Sequence, residues 1–282
     1  MLKIDLTNET IIHVKKDGVE YIQFRRLLDF KDLVHAYAIK PKSFRTSDTT
    51  LEKKDYKKAI ENYKDLCREL KLDINKLVKP NQNHTKNVES VFEIRESDIA
   101  QTHKKTDGLI TDIKDNVLVT TNADCILLLL YDFKKRVIGN IHSGWRGTVD
   151  EIAKVSINKM IKDYNCKPEN IICCICPSIR SCHFEVEKDV KEIFQNQFCD
   201  MENIGEIIKY KGTNIQKNGE KVDKWLIDTV LINKTILKQC GVIEENIIDS
   251  GICSVCFSDN IHSCRVEGKD SFGLNTAIIS LK

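Results

Sequence analysis

The apolar run Ile126–Leu130, in the stretch NADCILLLLYD, constrains the fold most strongly. Five consecutive apolar residues predict a strand that is buried on both faces. A second predicted strand, RVIGNIH, follows after a few polar residues. Cys125 directly precedes the first strand, and His142 ends the second. If the strands are antiparallel neighbours, the start of one lies beside the end of the other. The sequence therefore predicts that Cys125 and His142 are close in space.

Strand-like and helix-like segments are mixed irregularly along the 282 residues. Asp17-Gly18 between two apolar segments predicts a hairpin, and apolar spacings of three and four predict a helix over 56–72. The stretch 223–241 predicts an amphipathic helix that Gly241 stops. We expect an α/β (α+β) fold with mixed β-sheets flanked by helices, formed by a single domain over 1–282. Residues 1–30 would extend it with the N-terminal hairpin.

The charge balance excludes some classes of partner. The chain has 44 basic and 42 acidic residues, and its net charge of +2 indicates neither a nucleic-acid footprint nor a polybasic membrane patch. The N-terminus has no long apolar segment of the kind that starts a secretory signal. The 12 cysteines have no regular disulfide-type spacing, which favours reduced thiols. We expect a cytoplasmic monomer or homodimer that binds neither nucleic acid nor membrane.

Three candidate metal ligands, His84, Cys125 and His142, each lie at a predicted junction between a strand and a loop. One thiolate and two imidazoles suit zinc, and catalytic zinc sites typically keep a fourth position open. Asp124 is a candidate hydrogen-bond acceptor for the ring N–H of a ligand imidazole, or a candidate proton carrier. Two further interpretations stay open. In the first, Cys125 is an inert buried residue and the histidines are structural. In the second, Cys125 is a nucleophile and His142 is its base.

The stretch SGWRGT predicts an anion site. Gly144 and Gly147 allow close approach of the backbone, and a helix that begins there would present free N–H groups. Arg146 could add a bidentate contact to phosphate or carboxylate. Thr148 and Glu151 have the spacing of a capping box for this helix. The competing interpretation is a tight turn whose arginine forms a salt bridge.

The remaining cysteines and histidines carry less information. Cys173, Cys174 and Cys176 lie in an apolar strand, which favours core packing. Cys253-x-x-Cys256 has the spacing of a metal chelate, but the other Cys-x-x-Cys of the chain, Cys173 to Cys176, belongs to the apolar strand and is not expected to complete a four-thiolate site, so a metal is not expected there. His183, beside Cys182, and His262 are candidate pocket residues.

Six motifs, in order along the chain, resemble those of the multicopper polyphenol oxidase, or laccase-domain, family: QNH, TDGLIT, ADCILLLLYD, IGNIHSGWRGT, PSIRSCHFEV and SGICS. The resemblance spans roughly residues 33–279. It implies a sandwich of mixed sheets flanked by helices and related to the cytotoxic necrotizing factor toxins, which use a Cys-His pair. It also implies that His84, Cys125 and His142 hold a metal, zinc or alternatively copper.

This chain departs from the family pattern at several positions. Leu127 replaces a usual proline, Cys176 a usual glycine, and His183 the second cysteine of a usual pair. Near the C-terminus Arg265 is kept, whereas a second usual arginine is absent. These departures leave the three metal ligands intact and concern the contacts to substrate or phosphate, for which Arg265 is a further candidate.

The resemblance implies a purine nucleoside phosphorylase with adenosine deaminase activity. Its substrates would be phosphate and adenosine, inosine or guanosine, with methylthioadenosine as a further candidate. A copper-dependent phenol oxidase competes with this function, but multicopper oxidases rely on several His-x-His pairs and this chain has none. A Cys-His hydrolase and a non-catalytic nucleoside-binding protein are also compatible with the motifs.

Overall fold

A computed structural model describes residues 4–46, 53–93, 98–103, 105–202, 204–215 and 220–282. The strands are β1 (Ile11–Lys16), β2 (Val19–Phe24), β3 (Leu33–Ala38), β4 (Leu77–Pro80), β5 (Val88–Ser90), β6 (Asp98–His103), β7 (Gly108–Thr111), β8 (Val117–Asn122), β9 (Ile126–Asp132), β10 (Val137–Ser143), β11 (Ile171–Ile175), β12 (Glu185–Val186), β13 (Ile208–Ile215), β14 (Lys221–Ile227), β15 (Ile247–Asp249) and β16 (Asn275–Leu281). The α-helices are α1 (Arg25–Leu28), α2 (Lys53–Leu70), α3 (Trp145–Val149), α4 (Ile152–Tyr164), α5 (Lys188–Gln197), α6 (Ile204–Ile207), α7 (Thr229–Gln239) and α8 (Cys264–Glu267).

The strands form two large mixed sheets and one small sheet. The larger sheet has the order β1-β2-β3-β16-β8-β4-β6, and the second has the order β15-β11-β9-β10-β7-β5. The small sheet has the order β12-β14-β13. The predicted mixed α/β fold is confirmed, and strand β9, which contains the long apolar run, lies in the interior of the second sheet.

The alternation of side chains along β9 explains how the layers pack. Leu127 and Leu129 belong to the apolar cluster shared by the two large sheets. Leu128 and Leu130 belong to a second cluster, which the second sheet shares with α4, α5 and α7. Since successive side chains of a strand point to opposite faces, this strand contributes to both apolar layers. A third cluster joins the outer face of the larger sheet to α2.

Most of the predicted elements are found. The hairpin joins β1 to β2 around Asp17 and Gly18, both of which have positive φ, and it forms one edge of the larger sheet. The helix predicted over 56–72 is α2. Among the described helices, none has both the length and the apolarity that crossing a membrane requires.

The helix predicted over 223–241 is wrong in its first part. Lys221–Ile227 is a strand that pairs antiparallel with β13, and the helix begins only at Thr229. Asp228 stops the strand and caps the helix, because its side chain accepts a hydrogen bond from the Leu231 N–H at 2.9 Å. The apolar residues of 225–227 fit either element, so periodicity alone misplaced this boundary.

Candidate metal centre

The sheet brings Cys125 and His142 together as predicted. His142 pairs with Leu127 in the antiparallel register of β9 and β10, so Cys125, two residues before Leu127, lies beside the end of β10. His84 comes from the loop after β4, and its Nε2 lies 3.7 Å from the Cys125 Sγ. The His84 and His142 ring centres are 4.9 Å apart. One ligand atom from each of the three residues lies within 4.8 Å of the others, so the three side chains share one centre.

Asp107 organises this centre, and the sequence pattern did not single it out. Gly108 pairs with Ile141 across β7 and β10, which places Asp107 opposite His142. The carboxylate of Asp107, which is fully buried, accepts a hydrogen bond from His142 Nδ1 at 2.8 Å. This contact leaves His142 Nε2 as the ring nitrogen available to a ligand. Asp107 lies within the motif TDGLIT, and this motif is the feature of the sequence that could have pointed to its role.

The same carboxylate also shapes the loop that carries His84. It accepts hydrogen bonds from the backbone N–H groups of Asn83, His84 and Thr85, at 3.2, 3.0 and 2.7 Å respectively. His84 itself has a φ of 58°, a left-handed conformation that non-glycine residues adopt infrequently. Asp107 therefore holds both histidines of the centre in position.

The charges of the centre are mutually dependent. Burial alone would raise the pKa of the Cys125 thiol, but the neighbouring His142 and His84 rings lower that pKa to about 6. Burial alone would lower the pKa of His142, but Cys125 and Asp107 raise it to about 9. Burial likewise opposes ionisation of Asp107, whose hydrogen bonds from His142 and Thr85 lower its pKa to about 2. Cys125 is therefore a thiolate near neutral pH, the form that binds metals.

The donor set fits a borderline-soft divalent ion. Two imidazole nitrogens and a thiolate match the donor types of catalytic zinc sites, which have three protein ligands and a fourth position for water or substrate, and each donor group is already within reach of a common centre. Copper also accepts these ligands. Metal binding requires a neutral imidazole, so His142 would release its proton when the site is loaded.

Asp124 makes contacts other than those expected of it. Its Oδ1 accepts a hydrogen bond from Ser254 Oγ at 2.6 Å, and its Oδ2 accepts one from the backbone N–H of Arg265 at 2.8 Å. The acceptor for the His142 ring is instead Asp107. Asp124 has a φ of 87°, and this turn directs the chain from β8 to Cys125. Whether Asp124 carries protons stays a prediction.

Gly144 lies against the centre, and a larger side chain would not fit at this position. A Cβ atom at this position would lie 2.6 Å from His84 Cδ2 and 3.4 Å from His142 Cε1. The backbone of Gly147 approaches the loop of His84 in a similar way, since a Cβ there would lie 3.1 Å from the Thr85 carbonyl oxygen. Both glycines therefore allow the His84 loop to reach the end of β10.

Gly144→Ala is expected to weaken metal binding about 10- to 100-fold, the range for residues that orient metal ligands. The new methyl group displaces the His84 ring, whereas the backbone of Gly144 is in a conformation open to alanine. A competition titration with a chromogenic chelator measures the affinity. Gly205→Ala is the matched control, because a Cβ at Gly205 meets no atom within 4 Å. Wild-type affinity in Gly144→Ala would contradict the required position of His84.

Of the features predicted for the anion site, the start of a helix after Gly144 is found and the capping box is not. A helix does begin after Gly144, but α3 contains only five residues. The capping box of Thr148 and Glu151 is wrong: Thr148 lies inside α3 and bonds to Ser143 Oγ at 2.9 Å, while Glu151 is the left-handed residue before α4. Arg146 is exposed, with its guanidinium 4.2 Å from the Trp145 ring centre.

A cavity of about 760 Å³ opens over the centre. His84, Cys125 and His142 all line it, and so do the aromatic rings of Trp145, Phe184 and Phe272. Arg45, Arg265 and Lys269 supply positive charge to the same cavity. The family resemblance made Arg265 a candidate contact to substrate or phosphate, which stays a prediction, but the sequence did not single out Arg45 or Lys269, which have no recognisable motif around them.

Two of these cations are held by the cavity wall. The Arg265 guanidinium donates to the carbonyl oxygens of His183 at 3.1 Å and Glu185 at 3.4 Å. The Arg45 guanidinium donates to the Phe272 carbonyl oxygen at 3.0 Å and lies 4.4 Å from the Phe272 ring centre. The cavity thus combines a wall with three side chains that could hold a metal, aromatic surfaces and fixed positive charge.

Residues 36–282 match the family model described as multi-copper polyphenol oxidoreductase laccase. The chain is 34% identical over 159 residues to a purine nucleoside phosphorylase of Bacteroides thetaiotaomicron, an alignment that covers 56% of this chain and 55% of that protein. It is 30% identical over 210 residues to the adenosine deaminase RL5 of an unknown prokaryotic organism, covering 73% and 76% respectively. The chain thus spans just over half the length of the first of these relatives.

A solved structure of the same architecture is that of the hypothetical protein YfiH of Bacillus licheniformis. Its TM-score is 0.81 at 21% identity, and the match covers 98% of this chain and 100% of that chain. YlmD of Geobacillus stearothermophilus matches with a TM-score of 0.80 at 19% identity, covering 96% and 99%. At these identities the two structures support the fold alone.

Proposed function

The chain belongs to the multi-copper polyphenol oxidoreductase laccase family, and from this premise we propose that it is a metal-dependent purine nucleoside phosphorylase that also deaminates adenosine. Relatives that carry these two names support an enzyme of this kind. The observation that carries the proposal is the position of His84, Cys125 and His142 in the wall of one cavity with aromatic and cationic side chains.

The cavity suits the two substrates of phosphorolysis. Its volume of about 760 Å³ lies within the range of small-molecule sites. Trp145, Phe184 and Phe272 offer flat apolar surfaces for a purine ring. Arg265 and Lys269 offer charge for phosphate, and an arginine can bind its oxygens through two parallel hydrogen bonds. Adenosine, inosine, guanosine and methylthioadenosine share the purine and ribose groups that such a site would bind.

In the proposed phosphorolysis, an oxygen of inorganic phosphate forms a bond to C1′ of the ribose while the bond from C1′ to N9 breaks. The purine leaves with the electron pair and takes up a proton, which gives the free base and ribose 1-phosphate. The cationic side chains would offset the charge of phosphate and hold it beside the sugar. In the deamination, water replaces the amino group at C6 of adenosine, and ammonia leaves.

A zinc ion bound by His84, Cys125 and His142 would supply Lewis-acid polarisation of an oxygen atom in the cavity. The protein itself positions the donor atoms: Asp107 keeps the proton on His142 Nδ1 and holds the loop of His84. Copper is the alternative metal. Phosphate binding by Arg146, Gly144 and Gly147 stays part of the proposal. Trp145, which is adjacent to Arg146 and Gly144 in the sequence, lines the cavity.

A hydrolase in which Cys125 is the nucleophile is the second candidate, and one observation favours it. His142 lies beside Cys125 and is itself oriented by Asp107, the arrangement of a nucleophile, a base and an orienting carboxylate. The lowered pKa of Cys125, about 6, would suit a thiolate nucleophile. A metal bound by the Cys125 sulfur would block this role. Cys125 therefore cannot be a metal ligand and a nucleophile at the same time.

The test is to incubate the metal-analysed protein with inosine or adenosine, with and without phosphate, and to separate the products by chromatography. Phosphate-dependent hypoxanthine and ribose 1-phosphate are expected from inosine, and phosphate-independent inosine from adenosine. Both activities should disappear after chelation and return with zinc. Activity that survives chelation and is abolished by a thiol alkylating reagent would favour the hydrolase. Oxygen uptake on a phenol, without either product, would favour the oxidase.

A further inference from the structure

A second group of metal-binding side chains lies outside the centre described above. It consists of Cys182, His183, Cys253 and Cys256, and one ligand atom from each lies within 4.8 Å of the others. From the sequence, Cys253-x-x-Cys256 lacked partners. The fold supplies them, because Cys182 is 71 positions away from Cys253 and yet its Sγ lies 3.6 Å from the Cys253 Sγ.

Five of the six distances between the donor atoms are close to those of a tetrahedron around one ion, and the sixth, between the sulfurs of Cys253 and Cys256, is within 4.8 Å. Bond lengths of about 2.3 Å to sulfur and about 2.05 Å to nitrogen place two sulfurs about 3.8 Å apart, and a sulfur about 3.6 Å from a nitrogen. The Cys182 Sγ lies 3.6 Å from the Cys253 Sγ and 3.8 Å from the Cys256 Sγ. His183 Nδ1 lies 3.2, 3.7 and 3.5 Å from the sulfurs of Cys182, Cys253 and Cys256.

Hydrogen bonding or a disulfide accounts for this arrangement less well. His183 Nδ1 carries one proton at most, so it cannot donate to three sulfurs at once. The sulfurs are free and lie well beyond the S–S bond length of about 2.05 Å. Three thiols that converge on a single ring nitrogen instead leave a common centre for a cation, and a complete Cys₃His set is typical of structural zinc.

The group joins two loops, and the loop of Cys182 contributes Ile179 and Phe184 to the cavity wall. A bridge between Ser178 and Cys253 places the two loops side by side. Ser254, within the second loop, donates to the Asp124 carboxylate, and the backbone of His183 accepts from the Arg265 guanidinium. An ion held here would therefore fix the surroundings of Asp124 and Arg265 without entering the cavity.

We propose that Cys182, His183, Cys253 and Cys256 bind a structural zinc ion, separate from the metal of the His84 centre. All four ligands come from the protein, so the site leaves no coordination position for substrate. It fastens the loop of Cys182 to the loop of Cys253 and thereby orders one wall of the cavity. This assignment does not depend on the proposed reaction.

The experiment uses the full chain carrying Cys125→Ala, which removes the sulfur of the other centre. After dialysis against a mild chelator, we expect elemental analysis to find about one zinc ion per chain, the content of one four-ligand site. X-ray absorption at the zinc edge should show three sulfur neighbours and one nitrogen neighbour. Further substitution of Cys182→Ser and Cys256→Ser should remove the zinc, whereas Cys199→Ser, at an exposed cysteine outside the group, should not.

A folded Cys125→Ala chain without zinc, or with iron in its place, would overturn the proposal. So would a zinc content that Cys182→Ser and Cys256→Ser leave unchanged, or a disulfide between Cys182 and Cys253 in the purified protein. His183→Cys covers the case in which the serine variants fail to fold. It keeps four ligands, so the cobalt-substituted protein should retain one ion while its spectrum changes to that of four thiolates. An unchanged spectrum would show that His183 is not a ligand.

Discussion

Cys125→Ala is expected to lower kcat/KM for the phosphate-dependent cleavage of inosine at least about 1,000-fold, the equivalent of losing roughly 4 kcal/mol of metal-dependent stabilisation. The variant removes the only sulfur among the three ligands of this centre. Two histidines remain, and one of them lies on an exposed loop. Because two neutral donors hold a zinc ion far less firmly than three protein ligands including a thiolate, the ion should be lost from this centre.

The measurement pairs steady-state kinetics with metal analysis of the same preparation. Cys264→Ala is the matched control, since Cys264 also lines the cavity but does not belong to the centre. That variant should keep its metal and most of its activity. If Cys125→Ala retains both the metal of this centre and the activity, the assignment of the centre is wrong. If it loses activity while the metal stays bound, the result would favour Cys125 as a nucleophile.

Asp107→Asn is expected to lower kcat/KM and metal affinity about 10- to 100-fold, the usual effect of removing the partner of a ligand imidazole. The Asp107 carboxylate accepts bonds from His142 and from the backbone of 83–85. An amide has one oxygen to accept them, and its NH₂ group would face at least one N–H donor. We therefore expect the His142 ring to rotate and the His84 loop to shift.

Asp132→Asn separates this effect from a general loss of stability. Asp132 is also fully buried, and its Oδ1 accepts from the backbone N–H groups of Lys134 and Lys135 at 2.9 Å each. Both variants should unfold at lower denaturant concentration, because each places an amide NH₂ against a backbone N–H that a carboxylate oxygen accepts, in Asp132 the Lys167 N–H at 3.3 Å from Oδ2. Only Asp107→Asn should weaken metal binding, as measured by chelator competition. Equal metal affinities in the two variants would contradict the role given to Asp107.

The sequence was informative about the centre wherever local pattern and sheet geometry suffice. The run Ile126–Leu130 predicted a buried strand, and antiparallel pairing then placed Cys125 beside His142, as the register of β9 and β10 confirms. Asp107 lies opposite His142 for the same reason, through the pairing of β7 with β10. That position did not follow from the sequence, because β7 and β10 are not consecutive strands and the motif around Asp107 served only as part of the family resemblance.

The second metal-binding group shows what a spacing rule misses. Cys253-x-x-Cys256 is visible in the sequence, but the rule requires another Cys-x-x-Cys as its partner. The partners are instead adjacent residues, Cys182 and His183, on a loop that a bridge from Ser178 brings alongside. Donor atoms meet according to the fold and not according to a repeated spacing.

By itself, the sequence determined the apolar strands, the hairpin, the helix α2 and the neighbouring positions of Cys125 and His142, because these follow from side-chain periodicity and from the pairing of adjacent strands. Only the tertiary structure decided that His84 reaches the same centre, that Asp107 holds both histidines, and that Cys182 and His183 meet Cys253 and Cys256. Those contacts join loops far apart in the chain. Their positions depend on how whole sheets pack, and no local pattern encodes that packing.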